Sequence, residues 1–187
     1  SNINLNNLFL NLKPLNYKKN KKINSNLILK GRHNKDLRLN RIEYKENLNI
    51  IKVNNLILSN KYKVKDVDFV ILNYQNINKK LNNLKFQKNN NNEYKLSGNE
   101  FDAQLLISNY LKGENINNIF ERFDNLNSKI LIKFNNIFID DNSTLTDLVG
   151  EISFKRKGVH SAEINSKIDK KNDFSLTIKT NSRDERV

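Results

Sequence analysis

The sequence lacks the residues from which most metal, redox and disulfide sites are built. It contains no cysteine, which excludes disulfide frameworks, thiolate zinc sites and cysteine nucleophiles. Its two histidines, His33 and His160, lie far apart and belong to no paired ligand motif, so we interpret each as a surface or strand histidine. The chain also has no Gly-rich phosphate loop and no nucleophile elbow. These absences argue against an enzyme and predict no metal or other cofactor.

Glycine, proline, methionine and tryptophan are scarce or missing. The chain has five glycines, one proline, no methionine and no tryptophan in 187 residues. Turns must therefore be formed mostly by Asn and Lys. The chain begins with Ser1 and has no methionine, which favours a section of a longer protein. These residues include no signal peptide and no membrane span, and we expect any membrane anchor to lie outside them.

The acidic residues around the pair Asp140-Asp141 include Asp147 and Glu151. Carboxylate oxygens are ligands that hard cations prefer, but the spacing matches no known metal-binding loop. We therefore interpret the pair as a solvated turn and predict no metal site.

The formal net charge of +13 allows two interpretations. One is compositional: an AT-rich coding sequence favours Asn, Lys and Ile, and lysine then serves as the default polar residue. The other is a basic surface for anionic lipid or nucleic acid. Nucleic-acid surfaces usually interleave aromatic and basic residues, whereas Phe and Tyr here mostly share the apolar phase of the strands. We therefore expect no nucleic-acid partner.

Three stretches share one pattern: two apolar residues at period two, then Asn-Asn, then two more apolar residues at period two. They are Ile3–Leu10 (INLNNLFL), Ile51–Leu58 (IKVNNLIL) and Ile132–Ile139 (IKFNNIFI). In an unbroken strand, the residues before and after the Asn pair would face opposite sides. A β-bulge or bend at Asn-Asn restores one face, so the pattern predicts long strands with a continuous apolar side. A tight hairpin at Asn-Asn is the alternative, but it leaves arms of only about three residues.

Period-two alternation of apolar and polar residues continues through most of the chain, as expected for an antiparallel sheet with one face covered. The predicted fold is mainly β with minor α: a long curved antiparallel sheet that forms an open apolar groove. A closed sandwich or barrel is the alternative. The predicted single section divides into strands over 1–95, strand–turn–helix over 96–113, a connector over 114–128 and strands over 129–187.

One stretch, 96–113 (LSGNEFDAQLLISNYLKG), predicts a helix. Its apolar residues recur at helical spacing from Ala103 to Leu111. Asp102 precedes them as a candidate N-terminal cap, and Gly113 follows as a candidate C-terminal cap. We therefore predict one short helix at about 102–112, preceded by a turn over 97–100 in which Gly98 is the turn glycine.

The order of these elements resembles the AsmA-like family of Gram-negative envelope proteins, most closely its YhdP-type members, with TamB more distant. A run of alternating strands leads to a strand ending in G-x-x-F-D, here Gly98 to Asp102, then a short helix and further strands. The segments Leu145–Phe154 (LTDLVGEISF) and Asp173–Ser182 (DFSLTIKTNS) continue the likeness. The resemblance covers roughly residues 48–187 and rests on strand rhythm and short motifs.

This resemblance implies a periplasmic protein that is anchored to the inner membrane by a segment outside this chain. It also implies phospholipid transport between the inner and outer membranes, or maintenance of the outer-membrane barrier, through an apolar β-groove that binds acyl chains. It names no partner protein. The residues expected to line the groove are Ile51, Val53, Leu56, Leu58, Val67, Phe69, Ile71, Ile130, Ile132, Phe134, Ile137, Ile139, Ile152, Phe154, Phe174, Leu176 and Ile178.

Two other functions stay open from the residues alone. The same apolar residues could form the core of a closed β-sandwich that serves as a structural or adhesive scaffold. A basic nucleic-acid-binding surface is the third possibility, and only the net charge supports it.

Overall fold

The computed structural model of the protein describes residues 1–90, 93–112, 123, 127–155 and 158–180. Fourteen strands and one α-helix lie within these ranges. This confirms the prediction of a mainly β fold with one short helix.

Nine strands come before β10 (Glu93–Asp102) and the helix in the chain. They are β1 (Asn2–Asn4), β2 (Leu10–Leu12), β3 (Tyr17–Lys19), β4 (Ser25–His33), β5 (Leu37–Glu46), β6 (Asn49–Leu58), β7 (Val64–Asp66), β8 (Phe69–Gln75) and β9 (Leu81–Asn90). A 3₁₀ turn over Lys13–Leu15 joins β2 to β3.

The remaining elements surround and follow the helix. They are β10 (Glu93–Asp102), α1 (Gln104–Leu111), β11 (Ser128–Phe138), β12 (Thr144–Lys155), β13 (Gly158–Ile168) and β14 (Asn172–Lys179).

Twelve of the described strands form one sheet, and β2 and β3 form a separate hairpin. The order across the sheet is β1-β4-β5-β6-β8-β9-β10-β11-β12-β13-β14, with β7 paired to β6 beside β8. In the described part of the chain β1 and β14 are the two edges and do not pair, so the sheet stays open and is not closed into a barrel. This confirms the predicted open sheet.

One neighbouring pair departs from the antiparallel pattern. Strands β10 and β11 run parallel, with Tyr94 paired to Ile130 and Phe101 paired to Ile137. A parallel pair needs a long crossover because the chain must return to the end at which it started. The connection from residue 103 to residue 127, which contains α1, supplies that length.

The Asn-Asn repeats behave in two ways. The second and third repeats lie in the long strands β6 and β11, as predicted. Asn55 adopts a left-handed backbone with φ of 51°, and the register between β5 and β6 is the same on both sides of it. The first repeat is different, because Asn6 and Asn7 form a turn between β1 and β2. The long-strand prediction is therefore wrong for that repeat.

The predicted turn over 97–100 is also wrong. Strand β10 runs unbroken through Gly98 to Asp102. Gly98 pairs with Phe134 on β11, and a Cβ atom at Gly98 would overlap the Asn83 carbonyl oxygen and lie 2.5 Å from Phe134 Cε1. The glycine is therefore required by close packing of the Phe134 ring, and not by a turn.

Helix α1 begins directly after β10. The Asp102 Oδ1 atom accepts a hydrogen bond from the Gln104 backbone N–H at 3.2 Å, the kind of contact expected of a side chain before a first helical turn. Asp102 Oδ2 accepts another from Asn76 Nδ2 at 2.6 Å. The predicted C-terminal cap, Gly113, lies outside the described residues.

The β2–β3 hairpin packs on the sheet through buried side chains. Tyr17 is 1% exposed, and its ring meets those of Tyr44 and Tyr74 edge-on at 6.2 and 5.8 Å. Its hydroxyl donates to the buried Glu46 carboxylate. The fully buried Lys19 ammonium donates to four backbone carbonyls in the segments directly before β2 and after β3, which satisfies its N–H donors. The hairpin therefore covers one end of the sheet.

Candidate functional site

Strand register divides the side chains of the sheet between two faces, because directly paired residues point to the same side. One face carries Ile51, which pairs with Leu72. We call it the apolar face. The other carries Lys52, Ile71 and Lys85 in successive direct pairs. We call it the basic face.

An unbroken row of apolar residues and one glycine crosses the apolar face from β4 to β14. We call it the apolar row, and each member pairs directly with the next: Leu29, Ile42, Val53, Val70, Phe86, Leu96, Ile132, Gly150, Ile164 and Leu176. Ten strands at about 4.8 Å spacing make this a path of about 43 Å. That is longer than the roughly 30 Å hydrocarbon core of a bilayer.

The row keeps apolar surface accessible to solvent. Nine of its residues are half-buried, and Leu176 at the β14 edge is 39% exposed. Neighbouring positions on the same face are buried more deeply, including Tyr74, Phe134 and Leu148. The row is therefore an apolar strip that lies beside a packed core and is not fully filled by it.

Direct strand register places ten of the predicted groove residues on the apolar face, before the bends at the Asn pairs are taken into account. They are Ile51, Val53, Ile130, Ile132, Phe134, Ile152, Phe154, Phe174, Leu176 and Ile178. The register places them on strands β6, β11, β12 and β14, so the structure brings together residues that are up to 127 positions apart in the sequence.

Two predicted groove residues, Phe69 and Ile71, lie on the basic face, so the prediction that they share a face with the others is wrong. Ile71 pairs with Lys52 and Lys85, and the Lys85 ammonium lies 5.4 Å from the Phe69 ring centroid. The physical reason is that all four residues of β8 from Phe69 to Leu72 are apolar, so alternation does not show which two point to which face. The even-numbered residues, Val70 and Leu72, are the ones on the apolar face.

The bend at Asn55 precedes two other predicted residues, Leu56 and Leu58. Leu58 pairs with Val64 on β7, and Val64 lines a cavity on the apolar face. Val67, between β7 and β8, lines the same cavity. The bend thus allows apolar residues after the Asn pair to continue the apolar side.

The third repeat shows the same effect at Asn135-Asn136. Ile137 pairs with Phe101, whose ring centroid lies 6.2 Å from that of Phe134. Two rings on opposite faces of a sheet could not approach so closely, so Ile137 shares the apolar face. Ile139 lies past the end of β11, in the turn before β12.

The cavity on the apolar face has a volume of about 250 Å³. An aromatic wall is formed by Phe86 and Tyr94, whose rings stack at 4.8 Å, and Val64, Phe123 and Ile130 add apolar surface. Phe123 comes from the β10–β11 connection and forms a bridge with Val64. Phe123 therefore lies over the sheet beside the apolar row.

A half-buried polar cluster lines one side of this cavity. Asp66 accepts hydrogen bonds from Lys88 Nζ at 2.6 Å and from the Tyr94 hydroxyl at 3.1 Å. Burial opposes ionisation of Asp66, but the bonds from Lys88, Tyr94 and the Val67 N–H outweigh it and lower its pKa. Burial and the adjacent Asp66 raise the pKa of Tyr94 to about 12. The carboxylate is thus already satisfied within the protein.

The basic face has a different character. Lys52, Lys85 and Lys133 lie in one cross-strand row, separated by Ile71 and Ser97. Lys85 and Lys133 are exposed. The basic face therefore exposes positively charged side chains to solvent in the middle of the sheet.

The acidic pair forms the predicted solvated turn. Asp140 Oδ1 accepts hydrogen bonds from the backbone N–H groups of Asn142 and Ser143, both at 2.7 Å, and these bonds lower the Asp140 pKa. Within the described residues, no cluster of three or more histidine, aspartate or glutamate side chains is placed to hold a metal ion.

Comparisons with protein-family models, with curated proteins and with solved structures find no match to this chain. The AsmA-like resemblance therefore stays a prediction. In the part of the chain that the structure describes, no helix is long and apolar enough to span a membrane.

Proposed function

We propose that the apolar face of this open sheet binds the acyl chains of phospholipids and offers them a path along the apolar row. The observation that carries the proposal is the row itself, in which ten directly paired positions contain no polar side chain and none is buried. A closed sandwich core would bury such a row.

The chemistry suits an acyl chain. Each methylene that leaves a bilayer for water costs about 0.8 kcal/mol unless apolar surface replaces the lipid. A continuous strip of Ile, Leu, Val and Phe replaces it without specific contacts. Because the bilayer competes on nearly equal terms, continuity of the strip matters more than affinity at any one position.

The proposal extends to the cell envelope, where such a path would serve transport between two membranes. In that setting this chain is an envelope section of an AsmA-like protein, located in the periplasm and linked to the inner membrane. The support is the sequence resemblance together with the open sheet. The basic face adds cations that attract anionic lipid headgroups.

Native mass spectrometry of the protein purified from bacterial membranes in mild detergent tests lipid binding. We expect co-purified phospholipid. The matched pair Ile132→Asn and Leu131→Asn changes adjacent half-buried residues of β11 that lie on the apolar and the basic face, respectively. We expect Ile132→Asn to lower lipid occupancy about 3- to 10-fold, because one branched apolar contact is lost.

Leu131→Asn serves as the control and should leave occupancy near that of the unmodified chain. Unfolding midpoints of both variants show whether each is folded before lipid is measured. Equal loss of lipid in two folded variants, or an unmodified protein that carries no lipid, would contradict the proposal.

A further inference from the structure

The outer edge of β14 is a strand edge with no partner among the described residues, since β14 pairs only with β13 there. Such an edge presents a row of free backbone donors and acceptors that can pair with another strand. The residues along this edge determine which strand would fit.

The register of β14 shows which backbone groups point outward. The Thr180 N–H donates to the His160 carbonyl at 3.0 Å, and the register then continues unshifted from Ser161–Lys179 to Ile168–Asn172. Hydrogen-bonded pairs alternate along an antiparallel ladder. The even-numbered residues of β14 therefore bond to β13, and the odd-numbered residues, 173 to 179, turn their backbone groups outward.

We propose that β14 pairs antiparallel with β14 of a second copy of this chain, about a two-fold axis at Leu176. In this register Asp173 pairs with the second copy's Lys179, and Ser175 pairs with its Thr177. All four are odd-numbered, so their free backbone groups meet. The result is about eight new backbone hydrogen bonds, two for each of four such pairs.

The side chains match on both faces in this register. On the face that continues the basic face, opposite charges and hydroxyl groups stand directly across from one another. On the apolar face, Phe174 meets the second copy's Ile178, and the two Leu176 side chains meet at the axis. Aromatic with β-branched, Ser with Thr and opposite-charge pairs each favour strand pairing.

Neighbouring symmetric registers lack this match. With the axis at Ser175, Lys171 of each copy would stand beside Lys179 of the other, which places like charges together. With the axis at Thr177, Lys179 would face Ser175, and Asp173 would lose its basic partner. Charge complementarity therefore selects the axis at Leu176.

The pairing would also join the two apolar rows, because Leu176 is the last member of each row. It does not depend on lipid binding: the dimer forms through strand edges whether or not the row is occupied. An eight-residue strand pair is a small interface, so we expect a weak dimer with a dissociation constant in roughly the micromolar range.

Sedimentation of the purified protein across a concentration series tests the dimer. Asp173→Lys and Lys179→Asp each replace two attractive pairs by two repulsive ones, and each should weaken the dimer about tenfold or more. The charge-swapped double variant should restore it. An equimolar mixture of the two single variants should form mixed dimers, because each copy then supplies what the other lacks. Lys133→Asp, on the basic face away from the edge, is the control.

A cysteine crosslink tests the register, since the chain has no cysteine of its own. Two Leu176→Cys residues would face each other with Cα atoms about 4.5 Å apart, within disulfide range, and should give a covalent dimer on oxidation. Ile164→Cys, in the same row but one strand inward, should not. A monomer at all concentrations, a dimer that neither charge variant weakens, or equal crosslinking at both positions would overturn the proposal.

Discussion

At the scale of single residues, Phe134 is a deeply buried core residue of the apolar face. It is 2% exposed, and its ring fills the space that the missing side chain of Gly98 leaves open. Val149, by contrast, lies on the basic face of the next strand and is 47% exposed. The sequence shows both as apolar residues in strands, and only the register distinguishes them.

Phe134→Ala should lower the free energy of unfolding by about 3–5 kcal/mol, because it removes a buried ring and leaves a cavity. Val149→Ala should change it by no more than about 0.5 kcal/mol, as is usual for an exposed position. Urea unfolding followed by circular dichroism measures both. Similar effects at the two positions would contradict the difference in burial, and a larger effect at Val149 would mean that the faces are assigned the wrong way round.

Glu43 is a second residue whose environment determines its chemistry. Its side chain is 3% exposed, and its carboxylate pairs with Lys45 at 2.9 Å and with Arg41. Hydrogen bonds from Lys45 and then Arg41 lower the pKa of Glu43 from 4.5 to about 2. A lowered pKa in the folded state means that the ionised form stabilises the fold.

The Glu43 contribution to stability should therefore be complete above pH 4.5 and decline as pH falls towards 2. We expect the difference in unfolding free energy between the unmodified chain and Glu43→Gln to shrink over that window. In a Lys45→Gln background the same pH dependence should be weaker, because the main partner is gone. A difference that stays constant across the window would show that these ion pairs do not form.

At the scale of elements, the bends at the Asn pairs keep long strands apolar on one side. Asn55 has a φ of 51°, and its side chain donates to Asp68 Oδ2 at 2.8 Å. Asparagine tolerates this left-handed backbone better than β-branched residues do. The same amino-acid pair makes a turn at Asn6-Asn7, so the pattern alone did not distinguish a bend from a turn.

Asn55→Val should destabilise the protein by about 1–3 kcal/mol, because a β-branched side chain is strained at positive φ. Asn55→Gly should stay within about 1 kcal/mol of the unmodified chain, since glycine adopts this backbone freely and only one exposed hydrogen bond is lost. Asn54→Val, at the neighbouring position, is the control. The comparison is again by urea unfolding. A valine that is tolerated equally at both positions would argue against the bend.

The period-two alternation of apolar residues predicts most of the strands. It does not predict which face a residue occupies where successive residues of a strand are all apolar. In β8 the run Phe69 to Leu72 is apolar at every position, and the sequence prediction places its odd-numbered residues in the groove. The residue that decides the phase is Tyr74, which is 3% exposed and continues the even phase, while Asn73 continues the odd phase in solvent. Tyr74 at the end of the strand therefore indicates that Val70 and Leu72 share the apolar face.

The parallel pairing of β10 and β11 also has a signal in the sequence. A helix between two strands marks a crossover, since antiparallel neighbours need only a short turn. The sequence predicts the helix α1, but the predicted antiparallel sheet does not include the parallel β10–β11 pair that such a helix indicates. The β2–β3 hairpin was not predicted to cover the sheet, because its docking depends on contacts between Tyr17, Tyr44 and Tyr74 that are distant in sequence.

At the scale of the whole molecule, the sheet is an amphipathic layer whose two edges, β1 and β14, are open in the described part of the chain. One face carries the apolar row and the other carries lysines, and the row crosses ten strands without a polar side chain. Many weak contacts of this kind suit a ligand that must move along the surface. They suit a tightly held substrate less well, because tight binding needs a few well-placed polar groups.

The most direct test of this account is photocrosslinking with a phosphatidylethanolamine that carries a diazirine on one acyl chain, followed by mass spectrometry of the labelled peptides. We predict labels on row residues such as Phe86, Ile132 and Ile164, competed away by unlabelled phospholipid. Labels concentrated on basic-face neighbours such as Lys85 and Leu131, or labels that unlabelled lipid does not reduce, would contradict the claim that the apolar face is a lipid path.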